Sequence, residues 1–223
     1  MKKLLVLFLC FLSLFSWGQS ADKSWRDSLN EVSAKLAFYP NDIDLHLKKA
    51  SYNILLSQWD YAKDEYDWVL NKDPQNIAAL YYRAYVNEKL HRYGFSRKDY
   101  ETVLSIVPGH FEAMLGLALL NQKDKHYTDA YNQINRLVEL FPDSAIAYAA
   151  RGGIEMERKW YTLAEYDFSE ALKRDPNNND YFLSRIECKI KQCNYASARD
   201  DLNFLLKKGV PKVALKEFYE VLK

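Results

Sequence analysis

Glycine and proline are scarce in this 223-residue chain, with 7 and 6 respectively. That scarcity excludes a loop-rich fold, in which turns must be supplied every few residues. Charge of one sign is lacking too: 31 Lys plus Arg stand against 30 Asp plus Glu. With no basic block longer than a couple of residues, nothing points to a phosphate-backbone partner. The glycines (Gly18, Gly94, Gly109, Gly116, Gly152, Gly153 and Gly209) are too scattered to cradle a phosphate. His46, His91, His110 and His126 have no i, i+4 partner that would set two imidazoles on one helical face. No Gly-x-Ser-x-Gly nucleophile turn occurs either. A catalytic residue, a cofactor and a metal site are all expected to be absent. What the chain does have is apolar surface: 48% hydrophobic residues, 15% aromatics and 17 Tyr, enough to build a core from long, regular elements.

The first twenty residues differ in kind from the rest. Lys2 and Lys3 precede an apolar run from Leu4 to Phe15, followed by the small and polar stretch Ser16-Trp17-Gly18-Gln19-Ser20. This is the pattern of a secretory leader. Its run of about a dozen residues falls short of the roughly 20 that span a bilayer, so residues 1–20 are expected to be cleaved rather than to anchor. A lipid on Cys10 is disfavoured, because Leu7-Phe8-Leu9 before it is bulky. The mature protein is expected to be exported, periplasmic or otherwise a soluble protein of a bacterial cell envelope, with no membrane span.

Pro40, Pro74, Pro108, Pro142 and Pro176 recur at one constant interval, and Pro211 follows. Each proline removes a backbone donor and pushes its predecessor out of helical geometry, so each marks a helix end. Asn41-Asp42, Gln75-Asn76, Asp143-Ser144 and Asn177-Asn178 then offer side-chain oxygens to cap the next helix. Gly109-His110 is a poorer cap. The frame divides the chain into an N-terminal capping helix (21–39), five repeats (41–74, 75–108, 109–142, 143–176 and 177–210) and a C-terminal capping helix (211–223). The caps follow from Trp25, Leu29, Val32 and Leu36 before Pro40 and from an amphipathic stretch, Val213 to Leu222.

Stacked on their prolines, the repeats align with one another. A small residue recurs at Ala62, Ser96, Ala130, Ala164 and Ala198, with an aromatic three residues earlier at Trp59, Tyr93, Tyr127, Tyr161 and Tyr195. The small column marks close helix–helix approach. Tyr66, Tyr100, Ile134, Phe168 and Leu202, with Val69, Val103, Leu137, Ala171 and Leu205, continue one apolar stripe at i, i+4, i+7. The first helix of each unit has its own small column, Ala50, Ala84, Ala118 and Gly152, from which Ile186 departs. These columns resemble the tetratricopeptide repeat, which sets small residues in both helices, an aromatic and a terminal proline within a unit of about 34 residues. The resemblance covers about four-fifths of the chain and implies an all-α solenoid of five helical hairpins.

A basic residue beside the first-helix small column (Lys49, Arg83, Arg151, Arg185) and an acid in the second helix (Glu65, Asp99, Asp167, Asp201) are lost together in the third repeat, at Leu117 and Gln133. Joint loss is what paired contacts predict, since either charge alone and partly buried would be destabilising by several kcal/mol. Arg83 with Asp99, Arg151 with Asp167 and Arg185 with Asp201 are therefore expected to be structural ion pairs. Cys188 and Cys193, on a continuous helix, would lie roughly 8 to 9 Å apart, beyond the approximately 7 Å limit of a disulfide. The frame puts Cys193 in the turn between helices, which leaves two states open: a local disulfide, or two free, partly buried thiols.

In the family resembled, the first helices of successive repeats line a groove that takes a partner. That resemblance implies a groove here with Leu47, Ser51, Tyr81, Tyr85, Leu115, Leu119, Ala149, Gly153, Leu183 and Glu187 on it. The Lys and Asn set that clamps a peptide carboxylate is lacking. The expected function is a non-catalytic scaffold that binds another protein or peptide. The alternative is a structural subunit that self-associates through a terminal cap.

Overall fold

Each expected helix start carries its cap. Asp42, Asn76, His110, Ser144 and Asn178 stand at the N-caps of the five first helices, and each accepts a backbone N–H from the residue three positions on, at 3.0 to 3.4 Å. His110, the weaker cap from sequence, serves through Nδ1 at 3.3 Å from the Ala113 nitrogen. A computed structural model describes residues 15–222, with side chains from Lys23 onward. The leader expected over residues 1–20 therefore lies largely outside the described residues, as does Cys10.

Among the described residues the secondary structure is helical throughout, in two units. The first, ending at Ile106, contains α1 (Phe15–Phe38) and the hairpins α2 (Ile43–Leu55) with α3 (Trp59–Lys72) and α4 (Ile77–Lys89) with α5 (Tyr93–Ile106). The second, from Val107, contains α6 (Phe111–Lys123) with α7 (Tyr127–Leu140), α8 (Ala145–Glu157) with α9 (Tyr161–Arg174), α10 (Asn179–Lys191) with α11 (Tyr195–Lys207), then a 3-10 turn at Lys212–Leu215 and α12 (Lys216–Val221). From α1 to α5, and again from α6 to α11, each helix packs on the next. The class is all-α, of the helical-hairpin solenoid type. No helix among the described residues is long and apolar enough to cross a membrane.

The small columns are where the helices meet. Ala50, Ala62, Ala84, Ser96, Ala118, Ala130, Ala164 and Ala198 are fully buried. The first-helix column is matched in volume by the residue sixteen positions later. Gly152 lies against Phe168, whose ring a Cβ would meet at 3.2 Å. Ile186 shares its cluster with the smaller Leu202. The departure at Ile186 is thus compensated by its partner, as close packing requires.

The turns inside the hairpins repeat as faithfully. Ser57, His91, Lys125, Lys159 and Cys193 all have positive φ, between 55° and 64°. The N–H of the following residue returns to the carbonyl four residues upstream of the turn residue, as in Gln58 to Asn53 and His126 to Asn121. This is a left-handed helix termination, in which glycine avoids the Cβ clash, yet none of the five is glycine.

The C-terminal cap differs from the single amphipathic helix expected. α11 stops at Lys207, Gly209 turns with φ of 93°, and the chain re-enters as a four-residue 3-10 turn before the six-residue α12. Pro211 also falls one residue out of phase with the earlier prolines. The cap still closes the unit: Leu215 and Leu222 join Phe182, Ile186, Leu202 and Leu205 in one cluster, and Arg199 donates to the Leu222 carbonyl at 2.7 and 3.0 Å. At the other end Val32 and Leu36 of α1 are buried as expected, while Trp25 stays partly exposed beside Tyr52.

Lys125→Gly, in an exposed turn, should raise stability by roughly 0.5 to 1 kcal/mol. A higher urea midpoint checks it, and a lower one would count against a strained left-handed turn.

Candidate functional site

The charged columns meet as pairs. Arg83 Nε and Nη2 donate to both oxygens of Asp99 at 2.8 and 2.7 Å. Arg151 does the same to Asp167 at 2.6 and 2.8 Å, and Arg185 to Asp201 at 2.9 and 2.8 Å. The planar fork fits a carboxylate in a way a lysine ammonium cannot. The three acids are buried, whereas each guanidinium keeps one edge near water. In the first repeat Lys49 reaches Glu65 at 2.6 Å, and His46 Nδ1 shares that carboxylate at 2.5 Å.

A second contact makes the pairs more than hairpin locks. The remaining arm of each arginine, Nη1, donates to the second helix of the preceding hairpin: Arg83 to Asp67 at 2.7 Å, Arg151 to Asn135 at 3.1 Å and Arg185 to Ser169 at 3.2 Å. One first-helix arginine thereby joins two second helices. Burial opposes the charge of Arg83, and its hydrogen bonds to Asp99 and Asp67 overcome that, leaving its pKa above the ordinary value. The Asp167 hydrogen bond likewise raises that of Arg151.

A third column completes the network. Asn53, Asn87, Asn121, Glu155 and Lys189 occupy the same position in successive repeats, and all are buried. Asn87 contacts Asp99 at 3.5 Å and Lys189 donates to Asp201 at 2.7 Å. In the third repeat, where the ion pair is missing, Asn121 donates to Gln133 at 2.8 Å and Leu117 fills the arginine's place as a buried apolar residue. Glu155 is the acid of the series and receives the Tyr131 hydroxyl at 3.2 Å.

The residues expected on the partner face divide between the two units. In the first, Leu47 is half-buried and Ser51 exposed. Tyr81 packs its ring on Tyr82 and Tyr100 with centroids 5.1 and 5.9 Å away, and Tyr85 meets Trp59 edge-on at 6.2 Å with the Lys89 ammonium 4.9 Å above it. Both tyrosines are half-buried and partly committed to packing. In the second unit Leu119 is 40% exposed and Ile146 53% exposed. Leu115, Ala149, Gly153 and Glu187 are half-buried, and a Cβ on Gly153 would meet open space. Leu183 is drawn toward the C-terminal core. A shallow depression of about 550 Å³ also lies in this unit, walled by Tyr131, Trp160, Leu163 and Gln192.

Cys188 and Cys193 are unbridged. Helix α10 continues through Lys191, so Cys188 faces inward against Ala164 and Phe168, whereas Cys193 sits exposed in the left-handed turn. Burial pushes the Cys188 thiol up to about 12, which leaves it protonated and unreactive. Among the described residues, no group of three or more His, Cys, Asp or Glu is disposed to hold a metal ion.

Asp99→Ala should lower stability by about 3 kcal/mol, because it strands the Arg83 cation. The double change Arg83→Leu, Asp99→Gln, which copies the third repeat, should be less damaging than that single change, by at least roughly 1 kcal/mol. Chemical denaturation of both variants decides, and equal losses would reject the paired account.

Residues 113–179, within the second unit, match the family model described as tetratricopeptide repeat. The chain is similar in structure to a tetratricopeptide repeat protein of Parabacteroides merdae, with 20% identity over 92% of this chain and 80% of that one and a TM-score of 0.70. A thermophilic tetratricopeptide repeat protein of Thermus thermophilus matches 81% of this chain over 99% of its own, at 16% identity and a TM-score of 0.62. YrrB, described as a tetratricopeptide repeat protein with an unusual peptide-binding site, matches 77% of this chain over 89% of its own, at 18% identity and a TM-score of 0.57. No curated protein matches the chain in sequence. Residues 113–179 thus carry the tetratricopeptide repeat signature, and the chain has the fold of tetratricopeptide repeat solenoids.

Proposed function

We propose that the chain is a protein-interaction scaffold whose first-helix faces receive an apolar segment of another protein. The observation that carries this is the exposure of Leu119 on α6 and of Ile146 on α8, together with the open space at Gly153 of α8. Exposed apolar side chains grouped on one face of a folded unit mark binding surfaces more often than chance exposure does. The charged residues nearby do not compete for a catalytic role, since their partners are taken within the repeats. The peptide-binding site ascribed to YrrB makes a peptide a reasonable ligand class. Tyr81 and Tyr85 are candidate anchors in the first unit, where aromatic side chains supply much contact area for little entropy. The leader pattern at residues 1–20 supports an envelope location for this activity, and N-terminal sequencing of the mature protein tests that part separately.

A second reading, self-association through the C-terminal cap, draws on the exposure of Val213 and Val221, at 81% and 57%. Light scattering separates the two, because a strict monomer excludes self-association.

For the scaffold, affinity capture from native envelope extract should compare the wild-type chain, Leu119→Asp and the Tyr81→Ala, Tyr85→Ala double variant, each with its helical circular dichroism intact. A partner held by the wild type and lost from Leu119→Asp supports the first-helix face. Identical partner sets from all three chains would reject it.

A further inference from the structure

Glu155 occupies the position at which neighbouring repeats place a hydrogen-bond donor. Asn87 and Lys189, its counterparts in the second and fifth repeats, point nitrogen at the second-helix aspartate of their own hairpins. Glu155 holds the equivalent position relative to Asp167, whose negative charge acts on it, but a carboxylate has no proton to give. Only 2% of Glu155 is exposed, and its Oε2 has no donor from any neighbouring group. Asp167 is already committed: both its oxygens accept from Arg151, at 2.6 and 2.8 Å. Two interacting carboxyl groups, one of them ionised by a bidentate arginine, form a stable pair only when the other is protonated.

We propose that Glu155 is held as a neutral carboxylic acid that donates its proton to Asp167, so that the seating of α8 against α7 and α9 depends on that proton. The groups acting on Glu155 are Asp167 from α9, Tyr131 from α7 and Arg151 from its own helix. From α10 the Cys188 thiol lies close enough to feel its charge. The ionisable residues of α6, Glu112 and Lys123, are exposed at the two ends of that helix. Desolvation first, and the Asp167 charge second, push Glu155 up to about 7, against the Tyr131 and Arg151 contacts that favour its ionised form. Because the folded pKa lies above that of the unfolded chain, the contribution is complete below the unfolded value and disappears as pH rises through about 7. On ionisation the proton leaves to solvent, and two adjacent buried carboxylates remain at the centre of the fourth hairpin. That hairpin is thereby a joint that tightens in mildly acidic surroundings and loosens above neutrality.

The experiment is thermal unfolding of the full chain at about pH 6 and about pH 8.5, wild type beside Glu155→Gln. Glutamine supplies the missing donor without a titrating group, and the histidines contribute equally to both proteins. The wild type should lose roughly 3 to 6 °C of Tm relative to Glu155→Gln over that interval, and parallel curves would overturn the proposal. A direct readout, independent of whether the variant folds, is the carbon-13 shift of the Glu155 carboxyl in labelled wild-type protein. A midpoint near neutrality supports the proposal, and an ordinary glutamate midpoint near about 4.3 overturns it.

Discussion

The fork of an arginine on a buried aspartate is the contact on which the regularity of this protein rests. A single helical hairpin buries too little to stand alone, so its neighbours must be held in a fixed register. Arg83, Arg151 and Arg185 do this with one side chain each, gripping the second helix of their own hairpin with two nitrogens and that of the preceding hairpin with the third. Apolar packing between small columns supplies most of the burial but is tolerant of sliding. A bidentate bridge is not, because its two parallel hydrogen bonds exist in only one register.

The network also accounts for where the repeats depart from one another. Repeat three replaces the whole bridge by Leu117 and by an amide pair, Asn121 with Gln133, which avoids leaving one charge buried alone. In repeat one Lys49 and His46 both reach Glu65, and the Asn53 amide nitrogen is left without an acceptor. Repeat four substitutes an acid for the donor and needs a proton to make up the difference. In repeat three the change at one position is answered by its hydrogen-bonding neighbour, whereas in repeat one the Asn53 amide stays unanswered.

Much of this was legible in the sequence, because the strict spacing of the prolines turned one chain into five aligned rows. The prolines marked the helix ends, and the joint loss at Leu117 and Gln133 identified the ion pairs. The column of Asn53, Asn87, Asn121, Glu155 and Lys189 has the same period, but after three asparagines it turns to an acid and then a base, so it does not stand out as apolar or charged columns do. The third arm of each arginine is hidden for another reason: its partners Asp67, Asn135 and Ser169 have no common chemistry beyond an oxygen. Register puts Tyr81 and Tyr85 on the expected partner face, and register does not reveal that Tyr100 and Trp59 reach them from the second helices. The split of the C-terminal cap into a 3-10 turn and α12 lies beyond the last aligned row, so no column of the repeats announces it.

For function, the polar network matters by what it leaves over. Arg83, Arg151 and Arg185 are committed to their aspartates, and Leu119 on α6 and Ile146 on α8 are left exposed. The most direct test of the account is a pair of double-mutant cycles on Arg83, one with Asp99 and one with Asp67. The buried bidentate pair should show a coupling of about 2 kcal/mol or more, and the half-exposed Asp67, which Lys63 also engages, should show less than about 1 kcal/mol. A negligible coupling to Asp99, or one no larger than that to Asp67, would contradict the claim that the arginine fork fixes the register of the repeats.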